Sequence, residues 1–263
     1  SENLPDMEGL HRIRVQYRDR FGNVSSINED TVILDKTPPS AEIAYSTDDW
    51  TSGDVTAVLC EVTDTYRQGD DHVNMDPRKI SFVGDPSSII YNEVNHTWRF
   101  TFTQNGSREF TLRDIAGNES TYQAKVEWID KTKPDIVLSM NSNSNPARNA
   151  VVTLNASDIV ELDGRNLKTE LPELIYYQWT QTPEDPAEDD EEWLEATNNT
   201  SVELSGVDGD WFLHVKAADR VGNTTILGSG RFLMDNTPPE ANVTFDNTKP
   251  TANAVTAYIS FNE

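Results

Sequence analysis

The chain has 263 residues, and its 21 lysines and arginines against 45 aspartates and glutamates give a formal net charge of −24. Nucleic-acid phosphates and anionic lipid headgroups repel so acidic a surface, so we expect no nucleic acid and no membrane as direct partners, and expect cations instead. The apolar fraction of 36% is low, and the length suits two or three small domains, which excludes one large core.

Strand patterns follow one another along the chain. A run of apolar residues alternates with polar ones at Trp98, Phe100 and Phe102, and then at Tyr122, Ala124, Val126 and Trp128. The alternation recurs at Ile136, Leu138 and Met140, at Val152, Leu154 and Ala156, at Tyr177 and Trp179, and at Trp211, Leu213, Val215 and Ala217. A period of two is typical of half-buried β-strands. No stretch has a sustained helical period, so the sequence predicts an all-β protein, with at most a short helical turn in the acidic segment 184–196.

One short motif occurs three times. Asp-x-x-Gly-Asn is followed, 16 residues after its aspartate, by an Asp-x-Thr segment that leads into proline. The first aspartates of the copies are Asp19, Asp114 and Asp219, and the second are Asp35, Asp130 and Asp235. The copies are 95 and 105 residues apart, so the repeating unit has about 100 residues.

The motif predicts a hairpin followed by a domain boundary. Glycine and asparagine tolerate a positive φ, and the preceding aspartate can accept hydrogen bonds from the N–H groups of the turn. Proline cannot donate to a sheet, so strand pairing ends at the Asp-x-Thr segment. We therefore predict complete domains at 36–130 and 131–235, the C-terminal part of a domain at 1–35 and the N-terminal part of another at 236–263.

About seven short strands in 100 residues, with an aromatic residue on a central strand, are typical of an immunoglobulin-like β-sandwich. We expect Trp179 to be that aromatic residue in the second complete domain. The chain has a single cysteine, Cys60, so no intramolecular disulfide can hold either core.

These motifs resemble the bacterial Ig-like repeats of surface-layer proteins and adhesins. The residues that carry the resemblance are Ser52-Gly53-Asp54-Val55, Phe100-Thr101-Phe102, Asp114-Ile115-Ala116-Gly117-Asn118 and Asp130-Lys131-Thr132-Lys133-Pro134, with Gly209–Asp219 similar to a sister type. The resemblance implies tandem Ig-like sandwiches at the outer surface of a bacterium. It implies a rod or lattice-forming spacer whose partners are neighbouring domains, other copies of the chain, or a glycan or host ligand. Partial ends that complete one another by strand exchange are an alternative.

Calcium is the cofactor that the junctions suggest. Ca²⁺ prefers carboxylate and carbonyl oxygens, and Asp35, Asp130 and Asp235 lie where the loops of the next domain approach. The resemblance also implies calcium at such junctions. The other interpretation is that each aspartate only accepts hydrogen bonds from linker amides, and for Asp19, Asp114 and Asp219 capping of the turn is the expected role.

Acidic insertions distinguish the two complete domains. The first contains Asp64–Asp76, in which Asp70, Asp71 and Asp76 are weaker candidates for metal ligands, and the alternative is a solvated loop. The second contains Glu161–Glu173 and Thr182–Thr197; the dense acidic run 184–192 predicts a mobile, solvated loop because adjacent like charges repel.

No catalytic motif is present: the four histidines are scattered, and there is no nucleophile elbow or phosphate-binding glycine loop. We therefore expect no enzyme. The alternative function is that of glycan-binding or accessory modules of a secreted polysaccharide-degrading enzyme. Trp50, Tyr66 and Trp193, which fall in predicted loops, are the candidate sugar-binding residues.

Overall fold

A computed structural model describes residues 6–84, 88–162, 165–169 and 174–262, with side chains described outside 161–174. The fold is all-β, with several antiparallel sheets, as the alternation predicted, and is consistent with a β-sandwich. The described residues contain no α-helix and therefore no helix long and apolar enough to cross a membrane. The chain divides into two compact units, Ser1–Lys131 with Glu161–Asn166, and Thr132–Val160 with Leu167–Glu263. Each unit includes a terminal hairpin, and the predicted domain limits stay a prediction.

The first unit contains a two-sheet sandwich and two hairpins. Its strands are β1 (Gly9–Val15), β2 (Asn28–Leu34), β3 (Ser40–Tyr45), β4 (Val55–Thr63), β5 (Thr65–Gln68), β6 (Asp71–Asn74), β7 (Ser81–Val83), β8 (Ile90–Asn92), β9 (Thr97–Phe102), β10 (Gly106–Arg113) and β11 (Glu119–Val126), with a 3₁₀ helix at Pro77–Lys79. One sheet has the order β3-β4-β9-β8 and the other β11-β10-β7. Their buried faces form one core that includes Leu59, Trp98 and Phe110. The pairs β1–β2 and β5–β6 are separate antiparallel hairpins.

The second unit also has two sheets around one core. Its strands are β12 (Asp135–Leu138), β13 (Asn149–Leu162), β14 (Arg165–Thr169), β15 (Leu174–Thr180), β16 (Leu194–Thr197), β17 (Ser201–Ser205), β18 (Gly209–Ala218), β19 (Thr224–Gly228), β20 (Phe232–Met234), β21 (Glu240–Phe245) and β22 (Ala257–Asn262). One sheet contains β12, β13, β14 and β17, the other β16, β15, β18, β19 and β20. Phe232 is the fully buried aromatic residue of the core. Trp179 is only partly buried and packs edge-on against Phe232, with ring centroids 5.2 Å apart.

The three Asp-x-x-Gly-Asn turns have the predicted geometry. The glycines adopt φ of +90°, +97° and +88° at Gly22, Gly117 and Gly222, a region that other residues enter only with strain. In the last copy Asp219 Oδ1 accepts hydrogen bonds from the amides of Val221 and Asn223 at 2.9 and 2.8 Å. The turn-capping role expected for the first aspartate of each copy is thus confirmed, with equivalent bonds at the other two.

A β-bulge changes which face of β4 is buried. The pairing with β3 shifts register between Ser40 and Glu42, and Glu61 on β4 has a φ of +50°. Before the bulge the odd-numbered residues of β4 point into the core; after it Val62 and Asp64 are buried instead. An extra residue re-aims the side chains that follow it. Without the bulge, the alternation of β4 would direct Asp64 away from the interior.

Truncation of Phe232 to alanine should lower the free energy of unfolding by about 3–5 kcal/mol, because the lost side chain leaves a cavity in a fully buried site. Urea denaturation followed by tryptophan fluorescence measures this change. Phe245, on β21, is 53% exposed, and its replacement by alanine serves as the control, for which we expect a change within about 0.5 kcal/mol. Equal effects of the two substitutions would contradict the core described for this unit.

Candidate metal centre

Acidic side chains converge at one end of the first unit. Asp35 directly follows β2, Asp64 lies between β4 and β5, and Asp114 directly follows β10. One carboxylate oxygen from each of the three lies within 4.8 Å of those from the other two. Glu8, directly before β1, is adjacent to Asp35 and adds a fourth negative charge. We call these four residues the junction cluster, since Asp35 and Glu8 belong to the first hairpin and its linker and the other two to the sandwich.

The three aspartates of the junction cluster are buried. Asp35 is 8% exposed, and Asp64 and Asp114 are 4% exposed. Oδ2 of Asp35 and Oδ1 of Asp64 are buried without a hydrogen-bond partner. An unpaired buried carboxylate oxygen is costly unless it is protonated, hydrogen-bonded or bound to a cation.

The pKa values of the junction cluster reflect this arrangement. Burial raises the pKa of Asp64 to about 6, and the charges of Asp35, Asp114 and Glu8 act in the same direction. Burial also raises the pKa of Asp35, and the neighbouring carboxylates of Asp114 and Glu8 add to the shift. The cluster therefore holds its negative charge only at a free-energy cost when no cation is bound.

Hydrogen bonds hold several other oxygens of the junction cluster. Asp114 Oδ2 accepts from the side-chain amide of Asn118 at 2.8 Å, and the same amide donates to the Asp35 carbonyl at 3.2 Å. Glu8 Oε1 accepts from the Thr37 hydroxyl at 2.7 Å. Partial burial opposes ionisation of Glu8, but hydrogen bonds from Thr37 and from the amides of Lys36 and Arg67 outweigh it and lower its pKa. Asn118 of the turn and Thr37 of the linker thus hold these acids in place.

The insertion hairpin β5–β6 also contacts the first hairpin. The backbone N–H of Leu10 on β1 donates to the Gln68 side chain at 2.6 Å, and the Arg67 amide donates to Glu8. Asp64 opens this insertion, and its carbonyl accepts from the Met75 amide at 2.8 Å, which closes the insertion's base. The insertion therefore contributes an acid to the junction cluster and also contacts the first hairpin and Glu8 before it.

The structure places the predicted junction aspartates in different settings. Asp35 joins the cluster, and its Oδ1 also accepts from the Thr37 amide at 3.0 Å. Asp235 repeats that bond with the Thr237 amide at 3.1 Å. Both aspartates thus cap the linker, as the alternative interpretation expected, but Asp35 also belongs to the junction cluster. Asp130 is fully buried, and its backbone N–H donates to the Thr51 carbonyl at 2.8 Å.

The weaker candidates of the insertion do not form a metal-binding group among the described residues. Asp70 and Asp71 are exposed. Asp76 caps the 3₁₀ helix and pairs with Arg78, whose hydrogen bonds lower the pKa of Asp76 to about 2. Among the described residues, neither these three nor Asp235 belongs to a group of three or more acidic ligand atoms. The ligand that the insertion does offer is Asp64, which the sequence pattern marked only as the first residue of an acidic stretch.

Two of the candidate sugar-binding aromatics are held against their own units. Tyr66 was expected in a loop, but it lies on β5 and is only 8% exposed. Trp193 is partly buried, its indole N–H donates to the Ala187 carbonyl at 2.8 Å, and Lys216 lies over its ring. The acidic insertion Glu161–Glu173, predicted for the second complete domain, includes residues 163–164 and 170–173, which lie outside the described part of the chain.

Replacement of Asp64 by asparagine should raise the melting temperature of the chelator-treated protein at pH 7.5, because it removes a buried negative charge beside three others. A carboxyl whose pKa is raised on folding destabilises the folded state above that pKa, and this cost disappears as the carboxyl is protonated. The advantage of the variant should therefore shrink as the pH falls through about 6. Calorimetry between pH 5 and 8 measures it.

Asp71→Asn is the control for this experiment, since Asp71 is exposed in the same insertion. We expect its melting temperature to follow that of the parent chain at every pH. A variant of Asp64 that is less stable than the parent in chelator at pH 7.5 would show that the carboxylate is stabilised by something other than a cation.

The chain matches no family model, and no curated protein is similar to it at a significant level. The assignment of a function thus depends on the geometry of the chain's own residues.

Proposed function

We propose that the chain is a segment of a large bacterial cell-surface protein, in which tandem Ig-like sandwiches form a rod or lattice-forming spacer and calcium stiffens a junction. The three-copy motif and the two sandwich-like units support the repeat. The observation that carries the proposal is the junction cluster, in which buried carboxylates meet with two oxygens unpaired. The resemblance to surface-layer and adhesin repeats supports the extracellular location.

The donor set of the junction cluster fits calcium better than other cations. All of its charged ligands are carboxylates, and it contains no cysteine or histidine of the kind that zinc or copper prefers. Ca²⁺ binds oxygens at roughly 2.3–2.6 Å, so two ligands on opposite sides lie about 4.6–5.2 Å apart. The aspartate oxygens all lie within 4.8 Å of one another, which is compatible with that sphere. Mg²⁺ binds oxygens at about 2.0–2.1 Å and dehydrates reluctantly, so it usually keeps several water ligands. This preference suits a buried site made only of protein ligands poorly.

A bound calcium ion would act on the mechanics of the junction. Asp35 lies in the linker before Pro38 and Pro39, whereas Asp64 and Asp114 belong to the sandwich that follows. An ion bound by aspartates of both parts would therefore hold the linker against the end of the sandwich. The neighbouring Glu8 carboxylate, directly before β1, would link the first hairpin to the same ion. With the cation removed, repulsion among the four acids would favour separation of the first hairpin from the sandwich.

Calcium should raise the melting temperature of the parent chain and bind at a strong site in calorimetric titration. At a free concentration one hundred times the dissociation constant, the stabilisation should be about 2.7 kcal/mol. Asp64→Asn should reduce the affinity at least about tenfold, because it removes a charged ligand. Asp71→Asn is the matched control and should bind calcium as the parent does.

Small-angle scattering distinguishes a stiffened junction from binding alone. Calcium should narrow the distribution of lengths in the parent chain and leave that of Asp64→Asn unchanged. Tight binding without a change in melting temperature or length would contradict the mechanical role, and absence of binding by the parent at millimolar calcium would overturn the site.

A further inference from the structure

A buried histidine lies beneath the acidic loop of the second unit. The loop 181–193 covers the outer face of the sheet that contains β15, β18 and β19. Gln178, His214 and Gly228 lie side by side on these strands, in register with one another. His214 occupies the outer face, between the core residues Leu213 and Val215, yet it is 0% exposed. Its burial is therefore supplied by the loop and not by the core.

Each ring nitrogen of His214 has a polar neighbour. Nδ1 lies 2.9 Å from Asp185 Oδ1 of the loop, and Nε2 lies 3.0 Å from Thr180 Oγ1. Thr180 Oγ1 in turn donates to the Thr182 carbonyl at 2.6 Å. The Thr182 carbonyl also lies 3.4 Å from Nε2.

A count of donors and acceptors identifies the protonation state that satisfies these contacts. An ionised Asp185 can only accept, so Nδ1 must carry a proton. The hydroxyl proton of Thr180 is used on the Thr182 carbonyl, which leaves only a lone pair to face Nε2. Nε2 must therefore carry a proton as well. If the ring is neutral, one of two contacts is lost. Either the lone pairs of Nε2 and Thr180 Oγ1 face each other, or Thr180 turns its hydroxyl proton to Nε2 and loses its hydrogen bond to the Thr182 carbonyl.

The remaining charged groups around His214 belong to three elements. Lys216 follows it on the same face of β18, with its ammonium 4.8 Å from the ring centroids of Tyr176 and Trp193 and bonded to the Glu188 carbonyl. On β15, Gln178 donates to Glu192 of the loop at 3.0 Å. On β19 the neighbour is Gly228, which has no side chain. The loop carboxylate of Asp185 is thus the charge that contacts the ring directly.

Gly228 leaves the space that Asp185 occupies. A Cβ atom at this position would lie 2.9 Å from Asp185 Oδ1 and 3.3 Å from His214 Nδ1. Any larger residue would displace the carboxylate from the ring. The sheet therefore offers a slot, bounded by His214 and Gly228, into which one loop carboxylate fits.

We propose that His214 is a proton-dependent latch that holds the acidic loop 181–193 on the sheet of the second unit. The doubly protonated ring completes every hydrogen bond of the Asp185–His214–Thr180–Thr182 chain and offsets the charge of a loop rich in carboxylates. Loss of one ring proton at higher pH breaks this chain of hydrogen bonds and loosens the loop. Release exposes the rings of Tyr176 and Trp193. The latch goes beyond the proposed function and does not rest on calcium.

Nuclear magnetic resonance of the full chain in excess chelator tests the latch in two ways. The nitrogen shifts of the His214 ring at about pH 6 should be those of an imidazolium. The ring of Trp193 lies against Lys216 of the sheet, and its indole N–H is bonded to Ala187. This N–H should exchange with solvent at least about tenfold faster at pH 8.5 than at pH 6, relative to Trp211. The indole of Trp211 donates to Asp208 in the same unit, so it corrects for base-catalysed exchange.

Variants separate the latch from a general effect of pH. Asp185→Asn, at a half-exposed side chain, and Gly228→Ala should both give fast exchange of Trp193 at both pH values while the chemical shifts of the core persist. His96→Gln, at a histidine of the first unit, is the control and should leave the response unchanged. A neutral ring of His214 at pH 6, or a ratio of Trp193 to Trp211 exchange that does not change with pH, would overturn the proposal.

Discussion

The repulsion among buried carboxylates is the constraint on which the first unit depends. Glu8, Asp35, Asp64 and Asp114 come from positions far apart in sequence, and each lies at the end of a strand. Such acids approach one another only if hydrogen bonds, protons or a cation offset their mutual repulsion. The Asp114 turn, the linker threonine and the insertion hairpin all contribute hydrogen bonds at this end of the sandwich. Local structure there is explained more by the placement of charge than by the packing of apolar groups.

Much of the fold could be predicted because its signals are local. The alternation at Trp98, Phe100 and Phe102 is found in β9, and the Asp-x-x-Gly-Asn turns require a glycine at positive φ wherever they occur. Hairpin partners followed from those turns. Which aromatic residue fills the core did not follow, since Trp179 and Phe232 lie on strands of the same sheet and contact each other, and only Phe232 is fully buried.

The candidate site could be predicted only in part. The repeated motif identified Asp35 as a candidate ligand. Asp235 occupies the same position of the motif, but it caps its linker without joining an acidic group among the described residues. A useful signal was present, since each acid of the cluster directly adjoins a strand end, where loops of a sandwich gather. The acidic loop 181–193 is mostly exposed, as its charge pattern predicted, but contacts with His214, Lys216 and Gln178 hold it on the sheet.

The bulge at Glu61 has a consequence for how such a site arises. A single extra residue in β4 moves the side chains that follow it to the opposite face of the strand. The preceding side chains of Val55, Ala57 and Leu59 still point into the core. Gain or loss of one codon could therefore add an inward carboxylate to one repeat, or remove it, with the upstream half of the strand unaltered. Repeats that share a scaffold can in this way acquire individual junctions without redesign of their cores.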